Sequence, residues 1–259
     1  MGVPARGYVL CASPRSGSTL LCDLLTQTGS AGHPQSYFMP ASIPDYAREW
    51  GLSVEMPEWN RSYVDAVLEH GNAGTGSFGM RIMWRDMTGF LEHLRRLYPN
   101  LDSDVDILRN VLGVERLVHL SRDDRVAEAV SLVLAKQTGL WHRNADGSER
   151  ERNAPPAPPR YDHDEIDLEL RLLDAEAAGW SAWFDESEIV PLAITYEQLA
   201  ANPSDTLLRV IEHVGGCTTT PIETRTSKLA TRLNAEPPAR PGPRVVRGGQ
   251  ISLYVERKD

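Results

Sequence analysis

The sequence predicts a three-layer α/β fold, in which a central and mainly parallel sheet is flanked by helices. Two stretches carry that expectation. An apolar run, Tyr8-Val9-Leu10-Cys11, passes through a Gly/Ser loop into a helix on which Leu20, Leu21, Leu24 and Leu25 share one face. A second apolar run, Arg116 to Leu120, ends at Ser121-Arg122 and leads into a helix from Asp124 to about Gln137. The length, 259 residues, suits one large α/β domain better than two.

The remaining elements follow in order. Gly29 stops the first helix. A loop then carries His33, Gln35, Ser36, Tyr37 and Phe38, beside the first loop if the sheet is parallel. Ser42 as N-cap and Pro44 in the first turn start a short helix that runs to Gly51, and a second spans Arg61 to His70. Phe78, Met80, Ile82 and Trp84 alternate with smaller or polar neighbours, so 78–84 is a strand. Asp86 to Tyr98 is amphipathic, with Phe90, Leu91, Leu94 and Leu97 inward, and Asp104 to Leu112 is helical. On the helix after Asp124, Val126, Val130, Val133 and Leu134 are expected inward. The second half of 137–160 is rich in Pro and charge and reads as a mobile surface loop. Asp162, Asp164, Glu165 and Asp167 crowd the start of the next helix, where its dipole favours acids. That helix runs to about Asp185, with Leu168, Leu172, Ala175 and Trp183 as its apolar positions. A strand at Ile189 to Ile194 and helices at Tyr196 to Ala200 and Ser204 to Val214 complete a domain of residues 1–235. Residues 236–259, dominated by Pro, Gly and Arg, are expected to form a poorly ordered tail.

Composition narrows the function. Hydrophobic content of 41% and charged content of 24% are those of a soluble globular protein. A net charge of −9 argues against a nucleic-acid-binding surface. No apolar run approaches the ~20 residues of a membrane span, and the N-terminus has no secretory h-region. The three cysteines, Cys11, Cys22 and Cys217, have no metal-ligand spacing. A cytoplasmic protein without a bound metal is expected.

The first loop is the chemical centre. Strand, Gly/Ser loop and helix together aim backbone N–H groups and a helix N-terminus at one spot, a ready anion site. A nucleoside-triphosphate loop reads GxxxxGK[ST], and its Lys reaches the outer phosphates. Here the frame is Ala12-xxxx-Gly17-Ser18-Thr19: Ser18 takes the Lys position and the cation is Arg15. Such a P-loop-like site suits a shorter anion than the end of ATP. The second strand ends in S-R-D-D-R rather than in an apolar strand with a metal-binding Asp, which weakens an ATPase or GTPase reading. The plain alternative is a turn that only caps a helix.

RSGST after an N-terminal strand resembles the 5′-phosphosulfate loop of enzymes that use PAPS, 3′-phosphoadenosine-5′-phosphosulfate. The likeness is to the bacterial carbohydrate sulfotransferases of the trehalose, lipopolysaccharide and nodulation-factor type, and it covers roughly residues 7 to 235. GHPQSYF (Gly32 to Phe38) is similar to that family's acceptor loop. GMRIMW (Gly79 to Trp84) matches a strand in which a Lys more often stands where Arg81 is. SRDDRVAEAVS (Ser121 to Ser131) resembles the element that binds the 3′-phosphate, with Arg122 and Ser131 in its two contact positions. QTGLWH and GWSAWF also look like family segments.

The resemblance implies PAPS as co-substrate, a carbohydrate or glycolipid hydroxyl as acceptor, and a homodimer. Arg15, Ser16, Gly17, Ser18 and Thr19 then hold the 5′-phosphosulfate, with Arg122 and Ser131 on the 3′-phosphate. Gln35, Ser36, Tyr37, Phe38, Arg81, Trp84, Trp141 and His142 line the acceptor side. In the trehalose-type relatives a Glu of the acceptor loop takes the hydroxyl's proton; Ser36 stands at that position here. A Ser hydroxyl cannot accept a proton unaided at neutral pH. His33 is the expected substitute, since an imidazole titrates near neutrality, with Glu49 and His142 as runners-up. A P-loop kinase and a non-catalytic nucleotide-binding relative are the competing readings.

Overall fold

A computed structural model describes residues 6–53, 59–144 and 146–216; the expected tail at 236–259 and the end of the expected domain at 235 lie outside the described residues. The first strand, β1 (Gly7–Ala12), is buried at every position, which is why its sequence is an unbroken apolar run. It leads through the loop into α1 (Ser18–Thr28), which Gly29 ends in a left-handed C-cap. α2 (Ile43–Glu49) and α3 (Arg61–Asn72) precede β2 (Phe78–Met83). α4 (Trp84–Leu97) and α5 (Asp104–Leu112) precede β3 (Val114–Ser121), and α6 (Arg125–Thr138) follows it. Then come β4 (Leu140–Arg143), β5 (Glu149–Arg152), α7 (His163–Glu186), β6 (Leu192–Thr195), α8 (Tyr196–Ala201) and α9 (Pro203–His213).

The main sheet has the order β2-β1-β3-β6, and all three pairings are parallel. The chain leaves β1 for one neighbour, β2, and later returns on its other side as β3. The strand order therefore reverses at β1, and ligands of open α/β sheets bind at the C-terminal strand ends beside such a reversal. Alternate residues of β1 serve opposite layers. Val9 and Cys11 join a core with Phe38, Tyr63, Phe90 and Trp180, while Tyr8 and Leu10 pack with Leu21, Leu25, Leu199 and Ile211. The indole N–H of Trp180 on α7 donates to the Ala12 carbonyl at 3.3 Å, which ties α7 to the point where β1 becomes the loop.

Four expectations need correction. The expected strand 78–84 stops at Met83, and Trp84 opens α4. On α6, Val126 and Leu134 are exposed, and the buried residues are Glu128, Ala129, Leu132, Val133 and Ala135. On α7, Leu168, Leu172 and Ala175 are exposed, whereas Glu169, Leu173, Glu176 and Trp180 are buried. The cause is shared: the α6–α7 contact buries carboxylates, Glu128 with Arg125 and Glu169 with Lys136, so apolar periodicity misjudges the inward face. The stretch expected as a mobile loop begins with β5, which pairs antiparallel with β4 just before it. Arg150 of that hairpin pairs with Asp23 on α1, its Nη2 reaching Oδ1 at 3.0 Å.

Candidate active site

The loop between β1 and α1 is bent by two left-handed residues, Arg15 at φ 68° and Gly17 at φ 85°. A glycine adopts that conformation at no cost. An arginine does so at about 1–2 kcal/mol, and such strain persists only where the surroundings hold it. They do: Arg15 Nε donates to Ser131 Oγ at 3.0 Å and Nη1 donates to the Trp141 carbonyl at 2.5 Å. Ser13 Oγ donates to Glu128 Oε1 at 2.5 Å, and Arg125 Nη1 donates to the other carboxylate oxygen at 2.8 Å. Burial pushes the Glu128 carboxyl up, while the Ser13 hydroxyl and the Arg125 charge pull it down. Ser13 and Glu128 thus pin the loop to α6, and neither was found from sequence. Removing one partner of a buried ion pair costs about 3–5 kcal/mol. Glu128→Ala is therefore expected to lower the melting temperature by roughly 10 °C, read by calorimetry.

Cations gather at the loop. Arg122, just beyond β3, places Nη1 3.4 Å from the Arg15 carbonyl and its guanidinium 4.6 Å over the Tyr196 ring. Its Nε is buried without a hydrogen-bond partner among the described residues. Arg81 of β2 donates from Nη1 to Thr19 Oγ1 at 2.7 Å and from Nε to Ser36 Oγ at 2.8 Å. None of Arg15, Arg81 and Arg122 has a salt bridge among the described residues. Burial, then the neighbouring Arg122 charge, lowers the pKa of Arg15. Asp124, a candidate surface partner for Arg122, instead caps α6 by accepting from Ala127 N at 2.8 Å. Among the described residues no hydrogen bond engages the N–H groups of Gly17, Ser18, Thr19 or Leu20. Arg15, Arg122 and these amides surround a cleft of about 200 Å³, lined also by Ser131, His142 and Tyr196, while Arg81 reaches it through Thr19. The arrangement is unfavourable without an anion and suits a multiply charged one.

The whole strand–loop–helix and both arginine elements fall within residues 7–240, which match the sequence profile of the Stf0 sulphotransferases. The chain belongs to the Stf0 sulphotransferase family. It is 30% identical to the trehalose 2-sulfotransferase of Mycolicibacterium smegmatis over 233 residues, 80% of this chain and 84% of that protein. It is also 30% identical to the trehalose 2-sulfotransferase of Mycobacterium tuberculosis over 237 residues, 83% of this chain and 86% of that protein. The chain is accordingly a sulfotransferase, with the α/β architecture that its sequence predicts.

In this sulphotransferase the structure sorts the expected site residues. Arg15, Gly17, Ser18, Thr19, Arg122, Ser131 and His142 line one cleft. Ser16 does not turn outward: it is buried, its Oγ donates to the Ser13 carbonyl at 2.7 Å and its N–H turns to the same carbonyl at 3.4 Å. It shapes the loop. Tyr37 and Phe38, expected against the acceptor, are core residues at 1% and 4% exposure. The Tyr37 hydroxyl donates to the His33 carbonyl at 2.5 Å, and Phe38 packs against Trp59 and Phe90. Gln35 joins the edge of the sheet, its carbonyl accepting from Arg81 N at 2.9 Å. Trp84 stands edge-on to Trp180 and lies flat against Gly179, where a Cβ would sit 2.1 Å from the indole. Trp141 is partly buried against Ala129, Leu132 and Leu173 and serves the loop through its carbonyl.

The two histidines differ in placement. His33 holds Gln35, with ring nitrogen and amide 3.3 Å apart, and burial lowers its pKa. His142 on β4 reaches the loop itself: Nε2 is 3.2 Å from Thr19 Oγ1 and 3.5 Å from Glu151 Oε2. Burial first, then the charges of Arg15, Arg81 and Arg150, lower its pKa from 6.5 to about 4. A depressed histidine destabilises the fold only where the unfolded chain takes up the proton. Its effect is thus absent above about pH 6.5 and grows as pH falls toward 4.

Proposed function

We propose that this sulfotransferase takes the sulfuryl group of PAPS and transfers it to a hydroxyl of a carbohydrate or glycolipid. The observation that carries the reading is the convergence of Arg15, Arg81 and Arg122 on a loop with spare N–H groups, none of the three in a salt bridge among the described residues. The buried and unpartnered Nε of Arg122 supports a second anionic group near the first. PAPS carries two such groups, and it supplies a sulfuryl activated by a phosphate leaving group.

Sulfuryl transfer, like phosphoryl transfer, has a loose transition state, so the protein contributes mainly positioning and charge stabilisation. Arg15 and the N–H groups of Gly17 to Leu20 neutralise the charge that collects on the leaving 5′-phosphate oxygen. Arg122, braced on Tyr196, pairs with the 3′-phosphate, and Ser131 holds Arg15 in register. Arg81, fixed between Thr19 and Ser36, faces the acceptor side. A kinase reading lacks the phosphate-binding Lys, since Ser18 stands in its place.

The test is turnover with labelled PAPS against a panel of sugars headed by trehalose, the acceptor in the names of both relatives. Transfer to any sugar upholds the reading; binding of PAPS without transfer to any of them favours a non-catalytic relative. Arg122→Ala is expected to weaken PAPS binding by about tenfold to 10²-fold, the worth of one charge-assisted contact. Adenosine-5′-phosphosulfate, which lacks the 3′-phosphate, is expected to bind almost unchanged. Equal losses for the two nucleotides in calorimetry would remove Arg122 from the 3′-phosphate.

A further inference from the structure

An attacking hydroxyl must lose its proton, and Ser36 stands where the resemblance expects a carboxylate. The structure shows what Ser36 does: its Oγ accepts from Arg81 Nε at 2.8 Å. The same guanidinium donates to Thr19 Oγ1 at 2.7 Å, and Thr19 Oγ1 lies 3.2 Å from His142 Nε2. Ser36 and His142 therefore approach one point, the Arg81–Thr19 pair at the start of α1, from two sides. Among the described residues His33 has no such link; it is engaged with Gln35.

We propose that His142, set in place by Thr19 and Glu151, is the base that takes the acceptor's proton. The inference rests on the sulfuryl-transfer reading above. A carboxylate attracts an N–H and repels a lone pair, and Glu151 Oε2 stands 3.5 Å from Nε2. On this proposal the neutral ring carries its hydrogen on Nε2, between Thr19 Oγ1 and Glu151, and keeps its lone pair on Nδ1. In the step, the acceptor oxygen bonds to sulfur as its proton passes to Nδ1. The bond from sulfur to the bridging phosphate oxygen breaks, and its electron pair leaves with the phosphate. The products are a sulfate ester and 3′-phosphoadenosine-5′-phosphate, and the imidazolium returns its proton to water.

The charges around the ring make the base conditional on the donor. Arg15 faces it from the loop, Arg81 from β2, Asp23 from α1, and Arg150 and Glu151 from β5. Burial first, and then the arginines, hold the free ring neutral and weakly basic. Anionic donor groups beside Arg15 and Arg81 offset those charges, so basicity rises when the donor binds. Glu151 then stabilises the imidazolium as it forms. The hairpin β4–β5, clamped to α1 by Arg150 and Asp23, is the device that brings both residues to the loop.

The experiment is His142→Gln, whose amide N–H replaces Nε2–H and which offers no base. Turnover is expected to fall at least about 10²-fold, the usual worth of a positioned base. The acid limb of the pH profile is expected to vanish, and calorimetric affinity for 3′-phosphoadenosine-5′-phosphate to stay within about threefold of wild type. Independently of turnover, ¹⁵N-histidine spectra should show the Nε2–H tautomer for His142, and its pKa should rise when that nucleotide binds. Glu151→Gln should move the acid limb, which a purely structural role would not do. An active wild type with an undiminished His142→Gln variant overturns this inference alone. So does a loss matched by an equal loss of nucleotide affinity, an Nδ1–H tautomer, or an acid limb that disappears only in His33→Ala. A wild type that neither binds the nucleotide nor turns over any acceptor overturns the transfer reading, and this inference with it.

Discussion

Arg15→Ala is expected to cut turnover about 10³-fold, the upper range for one preorganised contact to a transition-state oxygen. The substitution isolates the guanidinium. Position 15 has φ 68°, a strain that alanine and arginine bear alike, so the backbone change is small. What is lost is the cation that Ser131 Oγ and the Trp141 carbonyl aim across the loop. Removing it also relieves the repulsion between Arg15 and Arg122 in the free protein. The melting temperature without donor is therefore expected to hold within a few degrees, whereas the stabilisation by added PAPS shrinks. Arg15→Lys should recover little, because a point charge cannot keep both contacts of the planar fork. A folded Arg15→Ala enzyme with wild-type turnover would remove the loop from the chemistry.

How much of this site is legible in the sequence depends on how local each part is. The strand, the loop and α1 are contiguous, so twenty residues display the anion site. Arg122 is legible because a strand end and a helix start flank it within the same unit. Ser13 and Glu128 are not, since a hydrogen bond across 115 positions has no local pattern. The inward faces of α6 and α7 fail for a related reason: their buried positions include carboxylates that specific cations make tolerable, Arg125 on the same helix for Glu128 and Lys136 across the two helices for Glu169. The hairpin is hidden by its composition. Its second strand reads Glu149-Arg150-Glu151-Arg152, charged at every position and exposed at the first three, so periodicity shows no strand. It is held by ion pairs, Arg150 with Asp23 and Arg152 with Glu149. Since that hairpin carries His142 and Glu151, the same gap leaves His33 as the base that sequence alone favours.

Gly17→Val is expected to weaken donor binding about 10³-fold, because one substitution disturbs the loop, the Tyr196 ring and Arg122 in turn. A side chain at φ 85° costs about 1–2 kcal/mol, and more when β-branched. A Cβ on Gly17 would stand 2.8 Å from Cδ2 of Tyr196, so the ring must move. That ring is the floor under Arg122, whose guanidinium lies 4.6 Å above it. Displacing the floor forfeits a cation–π contact worth about 0.5–2 kcal/mol. It also shifts the cation assigned to the 3′-phosphate, a contact worth about 1.5–3 kcal/mol. The two losses at Arg122 together reach roughly 4 kcal/mol, or about three decades in affinity, while the backbone strain falls on the free and the bound protein alike. Because the clash passes through Tyr196, Tyr196→Ala in the Gly17→Val background should restore the fit of the loop but not the purchase of Arg122. Binding of adenosine-5′-phosphosulfate should then recover more than binding of PAPS. Calorimetry with both nucleotides decides it: equal recovery, or none for either, would show that Gly17 and Arg122 are not coupled through the Tyr196 ring.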